Sequence, residues 1–371
     1  MFFGNRAFWL GAIGSAVFLA VFVVLFVDFE TIGDVLAGAN YAYLVPSIVF
    51  YFIAVWFRSA RWKFLLHPLI GSPQKSIYSV VVVGYMANNL IPVRIGEVVR
   101  AYYLSLREAC SAPAAFGTVA VERATDVLAL LFFFAAAGIM GTVGVERAVG
   151  DISSDIPGGA TVLALVALLP FVGVLAVVVT ISTVSASTVL GRIDRMMFML
   201  GKGVRARLLG ITERLLEGLT VVSSPADLAK VFAWSLPVWA SEAVMYYLIA
   251  IGFDLRPVFD SQVEFIAAVL VFTAAANLAG VLPSTAGSWG PFDFFGAAAL
   301  VALGVGQEVA AAYALTVHVA LWVPPTVVGG ILLVMDGNSL SGLMKGAQAN
   351  DQPIAGASDG STVITGDSSS V

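Results

Sequence analysis

The stretch NNLIPVRIGEVVR, residues 88–100, places two asparagines, a proline, two arginines and a glutamate inside apolar sequence, with SVVVVGYMA just upstream and AYYL just downstream. How it lies depends on the rest of the chain. Of 371 residues, 59% are hydrophobic and 12% charged, with a mean hydropathy of +0.94. That is more apolar surface than a soluble domain can cover with polar groups, so the composition reads as an all-α, polytopic membrane protein.

Apolar runs at 8–27, 41–57, 114–142, 160–182, 229–251 and 309–335 are each long enough to cross the bilayer, whose hydrocarbon core is about 30 Å thick. The first is longer than the apolar region of a cleaved signal and reads as a span. Two further apolar regions, 77–104 and 264–304, are broken near the middle by Asn, Pro or Gly. Their halves read as too short to span.

Basic residues set the orientation. Arg58, Arg61 and Lys63 follow the second run, and Arg192, Arg195, Lys202, Arg205, Arg207 and Arg214 fall between 191 and 214; both places are expected on the cytoplasmic side. The more acidic stretches 28–34, 145–155 and 253–264 are expected outside. A complete span at 77–92 would then put Arg94, Arg100 and Arg107 outside, out of phase with later loops. A hairpin entering and leaving on the cytoplasmic side removes the conflict, and 264–304 would dip in from the outer side. The expectation is six full spans plus two re-entrant helical hairpins in an inverted repeat, 41–142 and 229–335, within a membrane domain 1–335. Such repeats place substrate where broken helices end, and their irregular backbone needs protein or water around it. An eight-span bundle with two kinked helices is the alternative. The protein is expected in the plasma membrane with both termini cytoplasmic. Residues 186–225 read as a surface-lying amphipathic helix pair, or as a basic linker that fixes topology, and 336–371 as a disordered tail.

Pro92 suits the first turn of a second half-helix, with Arg94, Glu97 and Arg100 following at spacings of three. In TVAVERATDVLALL, Glu122 and Asp126 share a face and Arg123 lies beside them. Six unpaired charges in lipid would cost on the order of 15 kcal/mol, so they must pair or reach water. One reading is a structural network, Arg94 to Glu97 and Arg123 to Asp126. The other is a cation-rich cavity for a phosphate head group, for which the planar arginine fork is well shaped. Asn88 and Asn89 join this candidate site.

The second break, NLAGVLPSTAGSWGPFDFFG at 277–296, has Gly280, Gly287 and Gly290 for unusual backbone and Pro283 and Pro291 to stop and restart helix. Ser288 is a candidate cap, and Asp293 falls in the first turn. Pro92, Gly96, Pro283, Gly287 and Gly290 are candidate hinges. Glu242 reads as a counter-charge or proton site, or as a hydrogen-bonded structural residue; His318 reads as a helix-packing residue; Arg58 and Arg61 read as interfacial anchors, or as residues placed to meet a lipid phosphate. A single cysteine, Cys110, and two distant histidines, His67 and His318, give no disulfide or metal-ligand pattern. No HExxH motif occurs, and the Gly-x-Ser-x-Gly match, GASDG at 356–360, falls in the tail read as disordered, so no enzyme, cofactor, metal or nucleic-acid partner is expected.

NNLIPVRIGEVVRAYYL and TVAVERATDVLALL, followed downstream by LPSTAGSWGPFD, resemble the signature blocks of the lysylphosphatidylglycerol synthase transmembrane family, a flippase-like membrane region, over about 8–335. The resemblance implies a domain that moves a lipid between leaflets: an anionic phospholipid or a polyprenyl-linked head group. By it, Asn88, Asn89, Pro92, Arg94, Gly96, Glu97, Arg100, Glu122, Arg123 and Asp126 match polar motif positions. In the later block Ser288 stands where the family has glycine and Asp293 where it has glutamate. The sequence has no aminoacyltransferase domain after the membrane region, so synthase activity is not expected. The other reading is a non-catalytic membrane partner of a lipid-modifying enzyme or a glycosyltransferase.

Overall fold

A computed structural model describes residues 6–71, 73–91, 96–108, 110–140, 186–196, 202–219, 221–222, 224–280 and 286–343. Pro92, Arg94, Pro283, the run at 160–182, the acidic stretch at 145–155 and the tail from 344 on lie outside these residues. Among the described residues all regular structure is helical.

We number the helices α1 (Arg6–Phe26), α2 (Phe29–Gly38), α3 (Leu44–Leu66), α4 (Gln74–Leu90), α5 (Gly96–Arg107), α6 (Ala112–Ile139), α7 (Ala186–Met196), α8 (Lys202–Leu219), α9 (Pro225–Gly252), α10 (Gln262–Ala279), α11 (Pro291–Ala302) and α12 (Gln307–Met335). Four stretches are long and apolar enough to cross a membrane: Tyr41–Leu66, Ala226–Gly252, Gln262–Ala279 and Gln307–Met335. A fifth is added if Ala12–Phe26 and Glu30–Gly38, bent 87° to one another, count as one span. With 28 residues, α6 is about 42 Å long, but it carries Glu122, Arg123 and Asp126 within five positions.

Local chemistry sets the ends. Ser111, Ser224 and Ser261 each accept a backbone N–H in the first turn of α6, α9 and α10. Proline follows in the first turn of α6 and α9, where its missing donor costs nothing. Asp28 accepts the Glu30 N–H and starts α2 at once, so 28–34 is largely helical. One reading from sequence is corrected here. In the second broken region only α11, with 12 residues, is too short to span; α10, with 18, is long enough alone. In the first, α4 has 17 residues and α5 has 12.

Packing follows an exchange pattern. α3 lies along α9, α4 along α12, and α10 along α6, while α4–α5 and α10–α11 form the two broken pairs. Exchanging 41–142 with 229–335 maps these contacts onto one another. Bulky side chains fill the middle, with Trp62, Tyr103, Tyr246, Phe265, Phe272 and Tyr313 fully buried. Val24, Val45 and Val334 are among the apolar side chains left on outer faces, as suits a protein solvated by lipid.

Candidate functional site

Both helix breaks meet on α12. Asn89, near the end of α4, donates to the Trp322 carbonyl and to Thr326 Oγ1, both at 3.0 Å, while the Trp322 indole N–H donates to the Asn89 carbonyl at 3.1 Å. From the other break Gly287 packs against the same indole, where an added Cβ would lie 2.8 Å from Trp322 Cδ1. Between the breaks opens a cavity of about 1000 Å³ whose lining includes Tyr51, Arg58, Tyr85, Glu97, Arg123 and Asp126. Trp239, Glu242, Asn277, Ser288 and His318 complete its polar wall.

Beneath the cavity runs an ionic network drawn from four helices. Arg61 donates to Asp126 at 2.6 Å, with a second nitrogen 3.0 Å from Glu122. Arg100 pairs with Glu122, and Arg58 with Glu242. Arg123 lies 3.2 Å from Glu122 and 3.3 Å from Asp126. Neutral donors finish the carboxylates: Trp239 reaches Asp126 at 3.0 Å and Tyr246 reaches Glu242 at 2.7 Å. Two guanidinium groups also lie over rings, Arg58 over Trp239 at 4.5 Å and Arg100 over Trp62 at 4.0 Å. Burying these charges is tolerable because each is paired and hydrogen-bonded.

Four arginines, Arg58, Arg61, Arg100 and Arg123, thus share three carboxylates, Glu122, Asp126 and Glu242. Glu97 stands apart on the cavity wall and accepts from Asn88 at 3.3 Å. Arg61 and Glu122 have no exposed side chain, whereas the Arg123 side chain is 39% exposed. Arg123 is therefore the most exposed cation of the network, although Arg58 also lines the cavity. Its partners do not depend on it: Glu122 keeps Arg61 and Arg100, and Asp126 keeps Arg61 and Trp239. Buried side-chain atoms with no hydrogen-bond partner among the described residues are Tyr85 Oη, Arg123 Nε, Arg61 Nε and Nη2, Arg100 Nε and Asp126 Oδ2; of these residues Tyr85, Arg123 and Asp126 line the cavity.

The candidate residues separate by place. Asn89, Glu97, Arg123, Asp126 and Glu242 line the cavity; Arg100 and Glu122 support it from below. Asn88 accepts the Gly96 N–H at 2.7 Å and so joins the end of α4 to the start of α5. Gly96 acts less as a hinge than as a contact, since a Cβ there would sit 2.3 Å from the Gly84 carbonyl. Gly287 and Gly290 do adopt left-handed backbone, with φ of 71° and 96°. Asp293 is buried away from the cavity and holds Gly290 N–H at 3.0 Å and His318 at 2.8 Å. Ser288 caps nothing; it lies at φ 65° on the cavity wall. His318, read from sequence as a packing residue, lines the cavity. Arg58 and Arg61 are not interfacial anchors: α3 continues to Leu66 and turns both inward. The sequence signal for them was the unmet demand of Glu122, Asp126 and Glu242 for cations.

Helical spans surrounding a charged cavity at two helix interruptions define a polytopic membrane protein with an internal polar site. The chain belongs to the family described as the lysylphosphatidylglycerol synthase TM region, which matches residues 9–329. It is 25% identical over 347 residues to glycosyltransferase AglD of Haloferax volcanii, covering 89% of this chain and 55% of that protein. It is 35% identical over 114 residues to the UPF0104 membrane protein MJ1595 of Methanocaldococcus jannaschii, covering 30% of this chain and 34% of that one. The chain thus spans about half the length of the first relative. No solved structure matches.

Proposed function

We propose that this protein moves an anionic lipid, a phospholipid or a polyprenyl-linked phosphate, between the leaflets of the plasma membrane without catalysing a reaction. The observation that carries this reading is the exposed Arg123 above a network that remains neutralised without it. A phosphate entering the cavity takes Arg123 and the unpartnered Tyr85 hydroxyl, while Glu122 and Asp126 stay paired below. Entry and release are then exchanges of partner rather than exposures of bare charge, which keeps binding weak enough for release. Acyl or prenyl chains remain in the lipid.

In this reading 41–142 and 229–335 are inverted repeats, contributing to six full spans and two re-entrant hairpins, with both termini cytoplasmic. The exchange pattern of helix packing supports that arrangement. The amphipathic pair α7–α8 lies on the cytoplasmic face.

The test is transbilayer movement of a fluorescent anionic phospholipid in vesicles containing the purified chain. Arg123→Gln and Tyr85→Phe are expected to slow it by about tenfold or more and about threefold, respectively, as charge-assisted and neutral hydrogen bonds are lost. Movement unchanged in Arg123→Gln would remove this cavity from the mechanism. The similarity to a protein named as a glycosyltransferase favours a second reading, a non-catalytic partner of an enzyme acting on lipid-linked glycans. Co-purification with such an enzyme, with no lipid movement by the isolated chain, would select it.

A further inference from the structure

The second break carries a hydrogen-bond pattern that lipid binding does not use. His318, on α12 and 3% exposed, places Nδ1 2.8 Å from Asp293 Oδ1 and Nε2 2.7 Å from the Gly287 carbonyl oxygen. Asp293 is fully buried, and its other oxygen accepts the Gly290 N–H at 3.0 Å. A carbonyl oxygen can only accept, so that contact requires a hydrogen on Nε2. A neutral imidazole then has only a lone pair on Nδ1, facing a carboxylate. Both contacts are satisfied together only when the pair holds one further proton, as imidazolium against carboxylate or as neutral imidazole accepting from a carboxylic acid. Either form has no net charge, which is the inexpensive state at this depth.

We propose that Asp293 and His318 form a proton-binding site on the cavity wall, and that its occupancy fastens the second helix break to α12. The proposal deepens the transport reading and rests on it for the consequence, though not for the site itself. Loss of the proton from Nε2 to water in the cavity takes the pair from neutral to one negative charge. Nδ1–H then still donates to Asp293, but a lone pair faces the Gly287 oxygen and that fastening is gone. The turn it held carries strain at one residue: Gly287 takes φ 71° at no cost, but Ser288, which has a side chain, sits at φ 65°. Proton release therefore frees the turn at 286–288, whose Gly287 and Ser288 line the cavity.

No other acid or base touches the ring among the described residues. The ionisable groups sharing its cavity are Tyr51 and Arg58 on α3, Tyr85 on α4, Glu97 on α5, Arg123 and Asp126 on α6 and Glu242 on α9. From α11 comes Asp293 itself, and α1, whose residues 15–19 meet Gly290, brings none.

Trp289 supplies the readout, because its ring stacks on His318 at 4.0 Å and 17°. A protonated imidazole quenches a stacked indole. Intrinsic fluorescence of the purified full chain, followed between about pH 4 and 9, is expected to rise with pH in a single titration. That component disappears in Trp289→Phe and His318→Gln, and Asp293→Asn, which removes the carboxylate facing Nδ1, displaces it. A flat profile, or the same titration in His318→Gln, overturns the site. Vesicle transport of anionic phospholipid across the same pH range tests the consequence: a rate that changes at the fluorescence midpoint supports the fastening, and a rate flat through it overturns that role. Where no lipid moves yet the fluorescence titrates, the transport reading fails while the proton site stands.

Discussion

Arg61 on α3 donates to Asp126 on α6 at 2.6 Å while its other terminal nitrogen lies 3.0 Å from Glu122, with none of its side chain exposed. One guanidinium thus holds both acids of α6 and, through Ser235, touches α9 as well. Replacing Arg61 by Met leaves two buried carboxylates short of a cation. The expected loss is about 3–5 kcal/mol, the usual cost of breaking a buried pair by removing one partner. Thermal unfolding in detergent should show a large fall in midpoint, partly restored when Asp126→Asn is added. A midpoint within a degree of the unmodified protein would mean that the network is not what joins α3 to α6.

Gly96 is required for space. Alanine there would bring a methyl carbon to 2.3 Å from the Gly84 carbonyl and 2.5 Å from the Asn88 side chain. Gly96→Ala should therefore destabilise by about 1–3 kcal/mol as the α4–α5 pair is forced apart. Gly33, within α2, meets nothing within 4 Å. Gly33→Ala should leave stability unchanged or raise it by about 0.5–1 kcal/mol through helix propensity. Paired unfolding curves for the two variants separate a steric role from a general preference for alanine in helices.

Helical class and broken helices were legible in the sequence because each is a local property: run length, proline, glycine, and charges at helical spacing. So was the gathering of Glu97, Arg100, Glu122, Arg123 and Asp126. What sequence could not supply is pairing between distant segments. Arg58 meets Glu242 across 184 positions, so a basic cluster at the end of a span looked like an interfacial anchor. His318 likewise looked like packing until the turn at 286–288 placed a carbonyl oxygen against its second nitrogen. Asp293 was identified as a polar position of the second break, but that it is fully buried against Gly290 N–H and His318 depends on tertiary packing.

Arg58 tests the importance of the planar fork. Its guanidinium lies over Trp239 at 4.5 Å and pairs with Glu242, which also accepts from Tyr246 at 2.7 Å. Lysine keeps the charge but loses the stacked plane and the second donor, at a cost of about 1–2 kcal/mol. Arg58→Lys should lower the unfolding midpoint by a few degrees and slow lipid movement about fivefold or more. Equal behaviour of lysine and arginine in both measurements would reduce Arg58 to a point charge.

The join between α8 and α6 offers a test outside the cavity. The backbone of α8 docks directly on α6: a Cβ on Gly218 would lie 2.0 Å from the Ala114 carbonyl, and one on Gly117 2.3 Å from that of Leu215. Close glycine contacts of this kind join helices by packing alone, so valine at 218 must separate them. Cys110, in the connection before α6, reports the separation. Burial pushes its thiol above the ordinary value, and the charge of Glu217 on α8 adds to the rise. Detaching α8 removes that neighbouring charge and opens the thiol to water, so its titration falls back and more thiolate is present near pH 8. Because thiolate is the reactive form, Gly218→Val should alkylate at Cys110 about tenfold faster at pH 8, with the gain shrinking above the ordinary thiol range. Cys110→Ser supplies the unlabelled control, and an unchanged rate in Gly218→Val would show that α8 does not depend on this contact.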